Sequence, residues 1–184
     1  GNANWRTTIL ATTPSYLTVT DSNITAGEFF NARDMRTGAR VAILGETLVE
    51  QLFEAGEDPV GAVLRIKGTS FRVIGVLESK GGSTLGQDRD DLILMPFPTA
   101  ERRVLGAALP GAVENILVAA RIGQDPHAVS LEIEEILRHR HRLRPDQESD
   151  FTVHSQEEVA NTMGKVTGIM SSVLLGVASV SLLV

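Results

Sequence analysis

The run Arg40-Val-Ala-Ile-Leu-Gly45 opens the stretch that decides the fold, residues 40–78. It is short, apolar and partly β-branched, which predicts a buried strand. The next residues, Glu46-Thr-Leu-Val-Glu-Gln-Leu-Phe53, have apolar side chains at helical spacing. Asp58-Pro59 is a turn signal. The apolar runs 62–66 and 71–77 then flank Lys67-Gly-Thr-Ser70, which is typical of a β-hairpin. The stretch predicts strand, helix, turn and hairpin.

Outside this stretch, shorter elements are predicted on both sides. Before it, Thr7–Thr12 is a candidate strand, Pro14–Leu17 a helical turn with proline in first position, and Ala32–Arg36 a helix capped by Asn31. After it, the residues 92–95 form an apolar run that predicts a strand stopped by Pro96, and residues 99–105 suit a short helix.

The C-terminal third predicts a strand, a helix and a second strand. Val113–Arg121 and Phe151–Val153 are the two strands, a βαβ unit that needs partner strands to cover its edges. Asp125-Pro126 opens the helix, with aspartate as N-cap and proline at the first helical position. Its predicted apolar face consists of Val129, Ile133, Ile136 and Leu137.

The tail of the sequence predicts a membrane helix. Ser155-Gln-Glu-Glu158 is a capping box, and no charged residue occurs from Val166 to Val184. A bilayer span needs roughly 20 apolar residues, so we interpret the chain as a segment of a larger membrane protein that ends inside a transmembrane helix. Small residues recur there at four-residue spacing, which favours close helix packing: Gly164, Gly168, Ser172 and Gly176.

Composition and charge exclude several classes of function. The 184 residues carry a net charge of −6, which argues against binding to nucleic acid. Without cysteine there is no disulfide, thiolate metal site or thiol nucleophile. The four histidines all follow residue 126, and no Gly-x-Ser-x-Gly elbow accompanies them. We therefore predict no catalytic residues and no metal site.

The segment Ser79–Arg89 is the most loop-like part of the chain. Gly81 and Gly86 have the spacing of a phosphate-binding loop, but Gln87-Asp88 stands where lysine and serine or threonine are required. We predict no cofactor here and a surface loop instead. Asp88, Asp90 and Asp91 form either a solvated loop edge or, as a weaker alternative, a cation site. The candidate partner-contact residues are Lys80, Gly81, Gly82, Gln87 and Asp88.

A basic run, Arg138-His-Arg-His-Arg-Leu-Arg144, ends the predicted helix. Cations at a helix C-terminus interact favourably with the macrodipole, which is the simpler interpretation. An anionic partner or a lipid headgroup is the alternative. His139 and His141 are two residues apart and point in different directions on a helix, which disfavours a metal site.

The order of the runs in residues 40–78, continued by Asp90-Asp-Leu-Ile-Leu-Met-Pro96 and Thr99-Ala100, resembles the extracytoplasmic core domain of MacB-like ABC transporter permeases. This broad family includes FtsX-like and lipoprotein-release permeases. The resemblance implies an α+β fold with small mixed sheets and short helices. It further implies an inserted mostly-β part over residues 1–111, half of a porter-like βαβ part over 112–154, and a helix leading into the membrane over 155–184.

The resemblance also implies a function. The segment would be the non-catalytic periplasmic domain of a permease in the inner membrane, coupling cytoplasmic ATP hydrolysis to export or release of a substrate. ATP would bind to a separate ATPase domain or subunit. The implied partners are that ATPase, a second permease copy, a periplasmic adaptor protein and the membrane. Two alternatives remain: an FtsX-like regulatory module that activates a periplasmic partner, and a soluble enzyme whose last helix belongs to its core.

Overall fold

The computed structural model describes residues 4–81, 88–106, 111–155 and 170–171. The fold is α+β, as predicted: a six-stranded mixed sheet with short helices. In chain order the elements are β1 (Thr8–Thr12), α1 (Tyr16–Thr20), β2 (Ile24–Gly27), α2 (Ala32–Thr37), β3 (Val41–Leu44), α3 (Glu46–Leu52), β4 (Val63–Ile66), β5 (Thr69–Leu77), β6 (Leu92–Pro96), α4 (Phe97–Ala100), a π-turn (Glu101–Leu105) and α5 (Pro126–His141).

The chain divides into two compact units, Gly1–Ala119 and Ala120–Val184. All six strands lie in the first unit, and α5 lies in the second. The assignment of residues 1–111, 112–154 and 155–184 to an inserted part, half of a porter-like part and a membrane-entering helix stays a prediction.

The sheet is mixed and is centred on β3 and β5. Its strand order is β1-β6-β3-β5-β2, and β4 pairs with the first half of β5. The pairs β1–β6 and β3–β5 are parallel, whereas β3–β6, β2–β5 and β4–β5 are antiparallel. β5 and β6 therefore lie on opposite sides of β3.

The predicted hairpin is confirmed, and its turn is shorter than expected. Ile66 pairs with Thr69, so only Lys67 and Gly68 connect β4 to β5. Both have positive φ, 44° and 82°. Two successive left-handed residues are the requirement of a type I′ turn, whose twist matches that of the flanking strands.

Side chains from the two faces of the sheet form two hydrophobic clusters. The first-face cluster packs α3, α4 and the π-turn against the sheet: Ala42, Leu44, Leu48, Ile66, Phe71, Val73, Ile93, Met95, Ala100 and Val104. The second-face cluster packs on Phe30 and includes the partly buried Tyr16, Leu17 and Met35: its buried members are Phe30, Ile43, Leu77 and Leu94. Successive residues of β3 alternate between the clusters because the side-chain period of a strand is two.

The start of α2 follows the sequence signal, the start of α1 does not, and strand β2 was not foreseen. Asn31 caps α2, accepting hydrogen bonds from the backbone of Arg33 and Asp34, while Asp34 accepts one from Asn31 in return. Helix α1 begins at Tyr16 after Ser15, so the prediction that Pro14 occupies the first helical position is wrong. Strand β2 has too few apolar residues to be recognised from sequence, and forms by pairing with the end of β5.

The two strands predicted in the C-terminal third do not form in the described residues. Val113–Arg121 and Phe151–Val153 have no regular structure, and Val113, Ile116, Leu117 and Val118 are all more than half exposed. A strand needs a neighbour for its backbone hydrogen bonds, and none of the described strands pairs with either segment. Between them, α5 begins after Asp125 as predicted, although Ile136 on its predicted apolar face is 51% exposed.

The predictions for the tail fall outside the described part of the chain. This applies to the long apolar helix and to Gly164, Gly168, Ser172 and Gly176, whose packing role stays a prediction. Among the helices of the described residues, none is both long and apolar enough to cross a membrane.

Candidate functional site

The predicted partner-contact loop joins β5 to β6, and its two ends meet near the end of β3. Lys80, Gly81 and Asp88 are described, whereas Gly82 and Gln87 lie outside the described residues. We call residues 78–81 and 88–91 together the loop base. Every described site residue of this loop therefore lies in the loop base.

The carboxylate of Asp90 joins the two halves of the loop base. It accepts a hydrogen bond from the hydroxyl of Ser79 at 2.6 Å and from the backbone N–H groups of Lys80 and Gly81 at 2.9 and 2.8 Å. Asp90 is only 7% exposed. The expectation that the acidic residues form a solvated loop edge is therefore wrong for Asp90, which is a buried acceptor.

The protonation of Asp90 follows from this environment. Burial alone would raise the pKa of its carboxyl group. The hydrogen bonds from Lys80, Ser79 and Gly81, together with the charge of Lys80, outweigh burial, so the pKa of Asp90 falls below its ordinary value of 3.8. Asp90 is consequently an anion at neutral pH.

Asp88 connects the loop base to α3. One carboxylate oxygen accepts the backbone N–H of Asp90 at 2.8 Å, and the other accepts the hydroxyl of Thr47 at 2.7 Å. Gly45, just before α3, donates its N–H to the carbonyl of Leu92 at 2.9 Å. A Cβ on Gly45 would lie 2.1 Å from the carbonyl oxygen of Asp90, so only glycine allows the loop base to pass this close.

Three further contacts hold the loop base against the N-terminal part of the chain. The ammonium group of Lys80 donates to the carbonyl of Thr20, at the end of α1. The backbone N–H of Glu78 donates to the carbonyl of Asn23, and the Asn23 amide donates to the Glu78 carboxylate at 2.8 Å. The indole N–H of Trp5 donates to Asp91 at 3.2 Å. The loop base is thus fixed on several sides.

The hydrogen bonds of the loop base are those of a structural anchor and leave little capacity for binding a metal ion or a phosphate there. The carboxylate oxygens of Asp88 and Asp90 already accept protein donors, and the described residues contain no group of three or more His, Asp or Glu side chains suited to a metal ion. An anionic base also disfavours phosphate. Sequence inspection missed the role of Asp90, because no sequence pattern connects it with Ser79, eleven residues earlier.

The basic run at the end of α5 is partly structural. The guanidinium of Arg138 donates to the hydroxyl of Ser149 and to the carbonyls of Arg144 and Gln147 at 2.7–2.9 Å. His141 contacts Asp150 at 2.8 Å. These two side chains hold the segment that follows the helix, a structural role that neither interpretation of the run included. His139, Arg140, Arg142 and Arg144 remain exposed.

Comparisons with known proteins give consistent results. The model of the family described as MacB-like periplasmic core domain matches residues 1–136. The macrolide export ATP-binding/permease protein MacB of Syntrophobacter fumaroxidans is 32% identical, over 100% of this chain and 33% of that protein. The protein of the same name from Rhodospirillum rubrum is 37% identical, over 98% of this chain and 27% of that protein. The chain therefore spans about a third or less of the length of these relatives.

A solved structure has a similar fold. The crystal structure of the periplasmic region of MacB from Actinobacillus actinomycetemcomitans superimposes with a TM-score of 0.67 at 19% identity. The match covers 89% of this chain and 69% of that one.

Proposed function

Since this chain belongs to the family of MacB-like periplasmic core domains, we propose that it is the part of an ABC transporter permease that couples cytoplasmic ATP hydrolysis to export or release of a substrate. Membership of the family makes the segment an extracytoplasmic region of a membrane transporter. The observation that carries the proposal is the family match over residues 1–136, supported by the similar fold of a MacB periplasmic region.

The proposed assembly has its energy source elsewhere. The two relatives are named as ATP-binding and permease proteins and are about three times longer or more than this chain. We propose that ATP binds outside this segment, to a separate domain or subunit, and that a second permease copy and a periplasmic adaptor protein complete the transporter. The same names make macrolides the first substrate class to test.

Within this assembly we propose that the loop between β5 and β6 contacts the adaptor. The loop base supports the proposal because it is held to α1, α3 and the strand ends by hydrogen bonds. A loop fixed at its base loses less conformational entropy on binding than a free one. Lys80, Gly81, Gly82, Gln87 and Asp88 are the proposed contact residues.

The test is macrolide tolerance of a bacterial strain that lacks its own macrolide exporter and expresses the full-length transporter with its adaptor. We expect the wild-type transporter to raise tolerance, and Asp90→Asn to reduce the gain at equal protein level in the membrane. The matched control is Asp58→Asn, which changes an exposed aspartate whose carboxylate accepts the N–H of Val60. No gain in tolerance, together with recovery of a cell-wall hydrolase instead of an adaptor, would favour an FtsX-like regulator and contradict export.

A further inference from the structure

The outer face of the β4–β5 hairpin is exposed and positively charged. Val63 pairs with Arg72, and Arg65 with Ser70, so these four side chains share one face. All four are exposed, and Val63 is 65% exposed, whereas Phe71 and Ile66 on the opposite face are buried in the first-face cluster. Lys67, in the turn, is exposed as well.

The same side of the sheet is covered further along. Two residues after Arg72, Ile74 packs against the second-face cluster, and so does Val41, the β3 neighbour of Arg72. We call Arg65, Lys67 and Arg72, with Val63 among them, the basic face. The basic face starts at Arg72, next to Ile74 and Val41, the last residues on this side that the second-face cluster covers.

Among the described residues, none of the cations of the basic face forms an ion pair. Residues 59–77 contain three cations and no carboxylate, although the whole chain has a net charge of −6. In the part of the chain that the structure describes, the only ion pair is between His141 and Asp150. Arg65 donates from Nε to the carbonyl of Gly68 at 3.3 Å, which holds its side chain over the turn.

Protection of a sheet edge does not account for this arrangement. Charged side chains on an edge strand discourage pairing with other chains, which would explain Arg65 on β4. Arg72 lies on β5, which is flanked by β4 on one side and β3 on the other. Its charge protects no edge.

We propose that the basic face binds an acidic surface of another extracytoplasmic protein. The observation that selects this occupant is the local excess of positive charge, because complementary charge on a partner steers association and fixes orientation. The inference shares with the proposed function only the extracytoplasmic location and is independent of which substrate is exported.

A second copy of this chain fits less well. Its acidic segment, residues 46–58, has five carboxylates and no cation, and it begins with α3, whose Leu48 packs in the first-face cluster. The acidic helix α3 and the basic face therefore lie on opposite sides of the sheet. In a two-fold dimer the same patch meets itself, so the basic face would oppose another basic face.

Photocrosslinking tests the proposal. A photoreactive phenylalanine analogue replaces Val63 in the full-length transporter, and washed membranes are irradiated with the periplasmic extract of the same cells. Mass spectrometry identifies the crosslinked residue. We expect an acidic segment of another protein, and a loss of yield when salt is raised from about 0.1 to about 1 M, which shortens the Debye length from about 10 to about 3 Å.

Charge variants decide whether the basic face is responsible. Arg65→Glu with Arg72→Glu is expected to lower the yield about tenfold, since reversed charges at an interface repel the partner. Arg65→Gln with Arg72→Gln, which only removes charge, is expected to give an intermediate loss and serves if the first variant folds poorly. The matched control is Arg33→Glu with Arg36→Glu on α2, which is expected to keep the yield. A crosslink to lipid or to a second copy of this chain, no crosslink, or a yield unaffected by the first two variants would each overturn the proposal.

Discussion

Replacement of Asp90 by asparagine tests whether the loop base is held by a buried anion. Three donors reach this carboxylate at 2.6–2.9 Å. A hydrogen bond to a charged group contributes roughly 1.5–3 kcal/mol, and three that share one carboxylate do not add fully. Asparagine keeps the shape but offers one acceptor oxygen, and its NH₂ group faces a donor. We expect Asp90→Asn to lower the free energy of unfolding by about 2–4 kcal/mol.

The assay combines a local and a global probe. Trp5 is the single tryptophan, and its indole donates to Asp91, next to Asp90, so its fluorescence reports on the loop base. Far-ultraviolet circular dichroism reports on the sheet and helices. Urea denaturation followed by both signals gives the loss of stability and shows whether the loop base opens first. Asp58→Asn, which removes one exposed acceptor, should cost less than about 1 kcal/mol.

The pH dependence gives a second, independent check. Because the folded-state pKa of Asp90 is lowered, its stabilising contribution is fully present above the unfolded value near 3.8 and is lost as pH falls through the folded value. The difference in free energy of unfolding between the wild-type chain and Asp90→Asn should therefore be constant above about pH 5 and should become smaller below pH 3.8. A variant within about 0.5 kcal/mol of wild type at pH 7, or a difference that does not change with acid, would refute the reasoning.

Four further predictions follow from other contacts. Phe71→Ala should cost about 3–5 kcal/mol in urea denaturation because a fully buried aromatic ring is lost, whereas the exposed Ser70→Ala should cost less than about 0.5 kcal/mol. Gly45→Ala should cost about 1–3 kcal/mol, since the new methyl group collides with the Asp90 carbonyl; an unchanged midpoint would contradict the close approach. Asn31→Ala removes the cap of α2 and should cost about 1 kcal/mol by thermal unfolding. ATP with magnesium should not shift the unfolding temperature. If ATP did bind here, a concentration 100 times its dissociation constant would raise the free energy of unfolding by about 2.7 kcal/mol, and such a shift would contradict our placement of ATP elsewhere.

The parts of the fold that could be predicted are those whose pattern is local. The alternation of buried and exposed side chains over residues 62–77 is enough to predict the hairpin, because the paired residues are close in sequence and the face of each follows from the period of two. Helices α2 and α5 could be placed because Asn31 and Asp125 cap them within three residues. Strand propensity alone was misleading for Val113–Arg121, because propensity does not supply the neighbouring strand on which pairing depends.

The site could be predicted only in part. The loop was recognised from its glycine and polar content, but the role of Asp90 depends on contacts with Ser79, Lys80 and Gly81, on the far side of the loop. No periodic pattern links the two sides. The basic face was missed for a related reason: Arg72 was expected near the end of a strand covered on both faces, and the structure leaves its face bare because the second-face cluster stops at Ile74.

The pairing of β1 with β6 has a consequence for how the domain folds. Its register joins Thr8 to Leu92 and Thr12 to Pro96, and the nearby contact between Trp5 and Asp91 spans 86 residues. Closing a loop of that length costs roughly 4 kcal/mol in chain entropy, whereas the two-residue turn of the hairpin costs far less. The hairpin can therefore form early, but the first strand must wait until the last one has docked. A chain that emerges N-terminus first thus keeps the backbone of β1 unpaired until residue 96 has emerged, and this interval is when the domain is most exposed to aggregation.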